Sequence, residues 1–162
     1  MADPSFIRMR LEKNDLPGPL TVCDEPNLWE VQEFGHQIGM NNPHTVLYRD
    51  VMHSPLWVVL GVGSYLPKLY AVDAGNCEYL EKVEIFRLQH SKELNANHFY
   101  FKHTLHPVKI TAITMYMPNV KSLKLQELGH LVKIEFRYRL IEHFYAVGHF
   151  HTKTEWKHYF DE

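Results

Sequence analysis

The ten residues LVKIEFRYRL, 131–140, constrain the fold more than any other stretch. Val132, Ile134, Phe136, Tyr138 and Leu140 alternate with Lys133, Glu135, Arg137 and Arg139. A period of two puts successive side chains on opposite faces of a strand. One face is then apolar and the other charged, as an antiparallel sheet with one wet side requires. A second stretch, PVKITAITMYM (107–117), behaves similarly. There Val108, Ile110 and Ala112 alternate with Lys109, Thr111 and Ile113, again the signature of a half-buried strand.

Strand signals recur upstream. HTVLYRDVM (44–52) and PLWVVLGVGSYL (55–66) are apolar and rich in β-branched residues. Gly61 and Gly63 in the second suggest a bulge or a barrel corner. KLYAVD (68–73) and CEYLEKVEIFRL (77–88) flank DAGN and read as two arms of a hairpin, with Asp73 at its corner. SKELNANHF (91–99) carries a serine cap and predicts one or two helical turns. NLWEVQEF (27–34) predicts a short helix capped by Asn27, and GHQIGMNNPH (35–44) a loop.

Three strands, a short helix and two strands predict a mainly β fold, a five-stranded Greek-key OB-like barrel. Pro4, Pro17, Pro19 and Pro26 exclude a long N-terminal helix. The expected organisation is one domain, with an N-terminal arm (1–44), a barrel (45–141) and a C-terminal extension (142–162). The hydrophobic fraction of 45% supports a real core and argues against disorder. Cys23 and Cys77 form no C-x-x-C, which suits a reducing compartment. The opening residues lack the apolar run of a signal peptide, and no stretch has the length of a membrane span. A soluble cytosolic or nuclear protein is expected.

The net charge of -2 hides an asymmetry. Residues 1–99 hold 8 Lys+Arg against 13 Asp+Glu, a balance of -5, and residues 100–162 hold 9 against 6, a balance of +3. Lys109, Lys133, Arg137 and Arg139 lie in this basic part, interleaved with aromatics. Single-strand nucleic-acid binders combine such a cationic groove with stacking platforms. The alternative is a solvated strand face with the aromatics inside, and Phe136 and Tyr138 belong to that apolar face. Phe144, Tyr145, Phe150, Trp156, Tyr159 and Phe160 form an aromatic tail that either packs on the barrel or docks a partner. FIRMRLEK (6–13) suits strand addition to a partner's edge.

Catalytic and metal patterns are weak. Twelve histidines include His103 with His106 and His149 with His151, to which His143 or His158 would have to add ligands. There is no H-E-x-x-H, no phosphate-cradling glycine motif and no G-x-S-x-G around Ser64 or Cys77. Asp73 with Glu78 or Glu81 would make a carboxylate pair for acid–base work, but a turn aspartate bonding its own backbone is the simpler reading. No cofactor, metal or catalytic residue is expected. A small β-barrel enzyme using Asp73 or a His cluster is the alternative, as is an adaptor without DNA contact.

VVLGVGSYLPKLYAVDAGNCEYL (58–80) resembles the OB-fold subunits of replication protein A and of telomere-capping complexes. Gly61 and Gly63 match a glycine-bearing first strand, and Val72, Asp73 and Gly75 match a V-D-D-G-T-G-like hairpin. Ala74 and Asn76 depart from it. The proline-rich start extends the resemblance to the insect telomere-capping terminin subunits. That resemblance implies a non-enzymatic nuclear protein protecting chromosome ends, with other OB-fold capping subunits and single-stranded DNA as partners and no membrane association. Lys109, Lys133, Arg137 and Arg139 would then hold DNA, and the aromatic tail would dock partners.

Overall fold

A computed structural model describes residues 3–41, 50–73, 79–93, 95–117, 121 and 129–156. In chain order the elements are β1 (Ser5–Leu11), β2 (Asn14–Asp15), β3 (Leu20–Val22), β4 (Glu25–Gly35), β5 (Ile38–Asn41), β6 (Asp50–His53), β7 (Leu56–Gly61), α1 (Leu66–Asp73), β8 (Lys82–Ser91), β9 (Ala96–Tyr116), β10 (Leu131–Tyr145) and β11 (Phe150–Glu155). Among the described residues no helix is long and apolar enough to cross a membrane.

Six strands form a hydrogen-bonded circuit. β1 pairs β8, β8 pairs β9, β9 pairs β10, β10 pairs β7, β7 pairs β4, and β4 returns to β1, every pairing antiparallel. Closure removes the edges that an open sheet of these strands would expose. β2, β3 and β11 add outside the circuit, on β1, β4 and β10. β5 and β6 form a separate two-stranded hairpin.

The mainly β class holds, but the five-stranded OB barrel does not. Residues 5–35 are not an arm, because β1 and β4 are staves of the barrel. FIRMRLEK does add itself to sheet edges, and both edges belong to its own chain. The prolines that exclude a helix sit between strands or at their starts. The 142–162 extension likewise begins as the last turn-ward residues of β10 and continues as β11 on its flank.

Three local readings are corrected by spacing. KLYAVD is helix, not strand. Tyr65, Leu66, Leu69 and Val72 recur at i, i+1, i+4 and i+7 and are all buried in the main core, which is a helical stripe. Asp73 is therefore the last residue of α1 rather than a hairpin corner, and 74–78 lie outside the described residues. NLWEVQEF is part of β4. A register shift between Val31 and Glu33 lets Trp29, Val31 and Phe34 all reach the core despite their uneven spacing. SKELNANHF is the β8–β9 turn and the start of β9.

β10 follows its alternation from Val132 to Tyr138. Val132, Ile134, Phe136 and Tyr138 are buried, whereas Arg139 is exposed; past it the parity slips, and Ile141, not Leu140, enters the core. On β9 a shift opposite Glu135 and Phe136 leaves Thr111 as an extra residue, its hydroxyl donating to the Glu135 carbonyl at 3.3 Å. Past this bulge Ile113, not Ala112, packs against the core. Each fully buried aliphatic side chain stabilises by about 2 kcal/mol. Gly61 ends β7 rather than bending it. Gly63 is needed because a Cβ there would overlap the Trp29 ring.

The opposite face of β1 and β8 is also covered. Phe6, Leu28, Phe86 and Leu88 make a second cluster, packed by Leu20, Val22 and Phe99. Next to it sits Glu84, only 3% exposed. Arg8 and Lys82 reach it at 3.0 and 3.2 Å and Lys102 at 3.5 Å, and Arg8 also pairs with Glu25.

Candidate functional site

The densest group of polar side chains inside the structure is a histidine cluster at the foot of the β5–β6 hairpin. His36 follows β4 and His53 ends β6, so the two residues flank the hairpin. His36 Nε2 and His53 Nδ1 each lie 2.7 Å from the Tyr138 hydroxyl of β10. One hydroxyl thus joins both feet of the hairpin to the barrel. Gln37 accepts a backbone hydrogen bond from Ser54 at 3.0 Å, closing the base. Trp156, just past β11, stacks on His53 with ring centres 5.5 Å apart.

The neighbouring pair is His103 on β9 and His143 on β10, which stand opposite each other in the ladder. Their Nδ1 atoms are 3.0 Å apart. One must donate and the other accept, so both nitrogens cannot carry protons at that distance. His36 lies 6.1 Å from His143, centre to centre. Arg87 of β8 sits over Phe34 at 4.6 Å and Phe101 at 5.5 Å, close to both rings of the pair.

Burial keeps these imidazoles neutral. His103 is pushed down to about 3, chiefly by burial, with His143 and Arg87 adding repulsion. His36 falls to about 4, mainly through burial, with His143 and His53 contributing. His53 and His143 are lowered for the same first cause. Burial also raises the Tyr138 hydroxyl, which stays protonated and available as a donor.

The histidine pairs weighed as metal ligands are not brought together among the described residues, and His158 lies outside them. His103 faces the interior, whereas His106 faces outward to Glu142 at 3.4 Å. His149 lies in an exposed turn, and His151 meets Glu142 at 3.6 Å. Lys153 is closer to that carboxylate, at 2.9 Å, and is the main reason its affinity for a proton is lowered. No group of three or more potential ligands suited to a metal ion occurs among the described residues. The structure does unite His103 with His143, but His36 and His53 complete the cluster; His36 had been read as part of a loop and His53 had been given no role. The ladder register and the hairpin bring them together, and neither is encoded in a local motif.

The four proposed DNA-holding residues share the outer face of β9 and β10. Lys109 is exposed beside Arg137 in the ladder. Lys133 pairs with Glu135 at 3.8 Å and covers the Trp57 ring, Arg137 covers Trp156, and Arg139 pairs with Glu155 at 3.6 Å. Neighbouring carboxylates and rings therefore engage much of this basic set. Of the aromatic tail, Phe150 is 69% exposed and Tyr145 is exposed, whereas Trp156 belongs to the main core. Phe144 borders a groove of about 160 Å³ with Phe86, Phe99 and Phe101. Tyr159 and Phe160 lie outside the described residues.

No family model matches the sequence, and no curated protein matches it. Solved structures do match the fold. An Hcp protein superposes with a TM-score of 0.82 at 19% identity, covering 96% of this chain and 99% of its own. The fold is Hcp-like. The secreted protein Hcp3 of Pseudomonas aeruginosa follows, with a TM-score of 0.74, 22% identity and coverage of 96% and 99%. A type VI secretion system effector from Yersinia pestis has a TM-score of 0.67 at 15% identity, covering 94% and 99%.

These likenesses overturn the telomere reading. The resemblance to OB-fold capping subunits, including the insect terminin protein Modigliani, rested on a strand-and-hairpin at 58–80. The first arm of that hairpin, KLYAVD, is α1, and nearly the full chain instead superposes on Hcp structures. The nuclear location, the OB-fold partners and the single-stranded DNA fall with it, and the adaptor and barrel-enzyme alternatives gain no support from these likenesses.

Proposed function

We propose that this chain is a non-enzymatic structural component of a type VI secretion system, exported by it and assembled from copies of itself. The observation that carries this reading is the Hcp-like barrel, matched over nearly the full length of both chains. The Pseudomonas aeruginosa protein of that fold is described as secreted, and the Yersinia pestis one as a type VI secretion system effector.

The surface supports self-assembly. Val62, Met115, Tyr116 and Met117 are exposed at one end of the β9–β10 ribbon, where Val62 donates to the His130 carbonyl at 3.2 Å. Tyr145, Val147 and Phe150 are exposed at the other end. The two ends are about 45 Å apart along the 15 residues of β10. Two different apolar surfaces at opposite ends suit a head-to-tail contact, which generates rings or filaments rather than a closed pair.

The test has two parts. Light scattering and negative-stain microscopy of the purified chain should reveal a ring-shaped or tubular homo-oligomer. Expression in a bacterium with an active type VI secretion system should bring the chain into the medium, and inactivating the apparatus should stop it. A protein that stays monomeric at high concentration and stays in the cell in both strains refutes the proposal.

A further inference from the structure

Among the described residues the β5–β6 hairpin hydrogen-bonds as a sheet only to itself, and its strands expose Ile38, Val51 and Met52. Its feet, His36 and His53, converge on one hydroxyl. We infer that His36, His53, Tyr138, His103 and His143 form an acid-sensitive latch that fixes the hairpin to the barrel while the rings are neutral and frees it when they are protonated.

Hydrogen-bond arithmetic makes the latch one-directional. The Tyr138 hydroxyl donates to one histidine and accepts from the other, which requires one bare ring nitrogen. Protonating both His36 and His53 removes that acceptor and places two cations on one oxygen. The His103–His143 pair tolerates one added proton, on the far nitrogen of the donating ring. A second proton must go to the accepting Nδ1, and two N–H groups would then face each other at 3.0 Å.

The surroundings offer the cations no relief. From β8 comes Arg87, already positive; from β9, His103 and Phe101; from β10, His143 and Tyr138; from beyond β11, Trp156 with Arg137 over its ring. The Glu155 backbone beside His53 favours the charged ring and works against burial there. Among the described residues no carboxylate pairs with any of the four histidines. Cations gathered without a counter-charge separate, and the hairpin is the part that can leave without breaking the barrel circuit.

The latch does not depend on the proposed secretion role, and it is tested on the full chain alone. Amide exchange of 36–54 is measured at pH 7.5 and at about pH 5, corrected for intrinsic rates and compared with β9 and β10. The hairpin amides should exchange at least about tenfold faster at the lower pH, with barrel amides changing distinctly less. The His36→Gln/His53→Gln variant keeps hydrogen-bonding side chains that do not titrate and should lose most of this pH response. If that variant does not fold, His36→Gln alone should show a reduced response. Equal hairpin protection at both pH values overturns the latch. So does loss of barrel protection in step with the hairpin, which is global unfolding, or an undiminished response in the glutamine variants.

Discussion

Two buried polar clusters sit on opposite faces of the barrel wall, and they solve the same problem in opposite ways. Around Glu84 the chain keeps the charge and surrounds it with Arg8, Lys82 and Lys102. Burial alone would raise that carboxyl, but the charge and hydrogen bonds of Arg8, helped by Lys82, hold it below its usual range. Around Tyr138 the chain instead removes the charge, because four histidines packed with no carboxylate stay neutral. The difference teaches where each device fits. Lys82 and Lys102 keep their stems along the wall and their heads partly wet, so a salt-bridge network survives at the outer surface. At the hairpin foot His53 and His103 are buried and His36 and His143 half-buried, with no carboxylate paired to them among the described residues, and neutral hydrogen bonding is the stable choice.

The largest expected effect separates the two clusters directly. Glu84→Ala removes the carboxylate shared by Arg8, Lys82 and Lys102, leaving Arg8 with Glu25 alone, and should cost about 3 kcal/mol in urea unfolding. Tyr138→Phe keeps the ring but strands two histidine nitrogens, and should cost about 2 kcal/mol by the same measurement. If the second loss exceeded the first, the neutral cluster would be the more important of the two.

The pH dependence sharpens the contrast. A histidine whose folded value is depressed binds fewer protons folded than unfolded between the two values. Its stabilisation is full above the ordinary 6.5 and declines as pH falls toward about 4 for His36 and about 3 for His103. Glu84, also depressed, keeps its contribution down to its ordinary 4.5 and loses it below. Urea midpoints should therefore fall between pH 6.5 and 5 in the wild type, and fall less in His36→Gln/His53→Gln. Glu84→Gln should leave that decline unchanged and flatten only the part below 4.5. The smallest effect belongs to the outer ion pairs. Arg139→Ala, which opens the exposed contact with Glu155, should change stability by no more than about 0.5 kcal/mol, and a larger loss would mean that exposed pairs rival the buried ones.

Much of the strand content was legible, for reasons visible in single residues. β10 alternates from Val132 to Tyr138 because one of its faces is apolar and the other charged, whereas the parity slip that buries Ile141 in place of Leu140 has no local signal. α1 was missed because Tyr65, Leu66, Leu69 and Val72 follow directly on the apolar run of β7, and a short helix buried on one stripe looks locally like a continuing strand. β4 was misread because a bulge near Gln32 breaks its period. The N-terminal segment looked like an arm because its strands are short and separated by prolines and turns. Lys109, Lys133, Arg137 and Arg139 lie on strands as their alternation implied, yet the partners Glu135, Glu155 and Trp57 come from positions that no spacing rule connects.

Sequence alone determined that the chain is mainly β, that the 131–140 segment has one buried and one charged face, and that common catalytic and metal motifs are missing. Those properties follow from period and residue type, which act over a few residues. Tertiary structure decided that six strands close on themselves, that the N-terminal segment is inside the barrel, and that His36 and His53 meet over Tyr138. Each of these depends on pairing register between segments far apart in the chain. Register is selected by the combined burial and hydrogen bonding of the whole sheet, not by any one stretch of it.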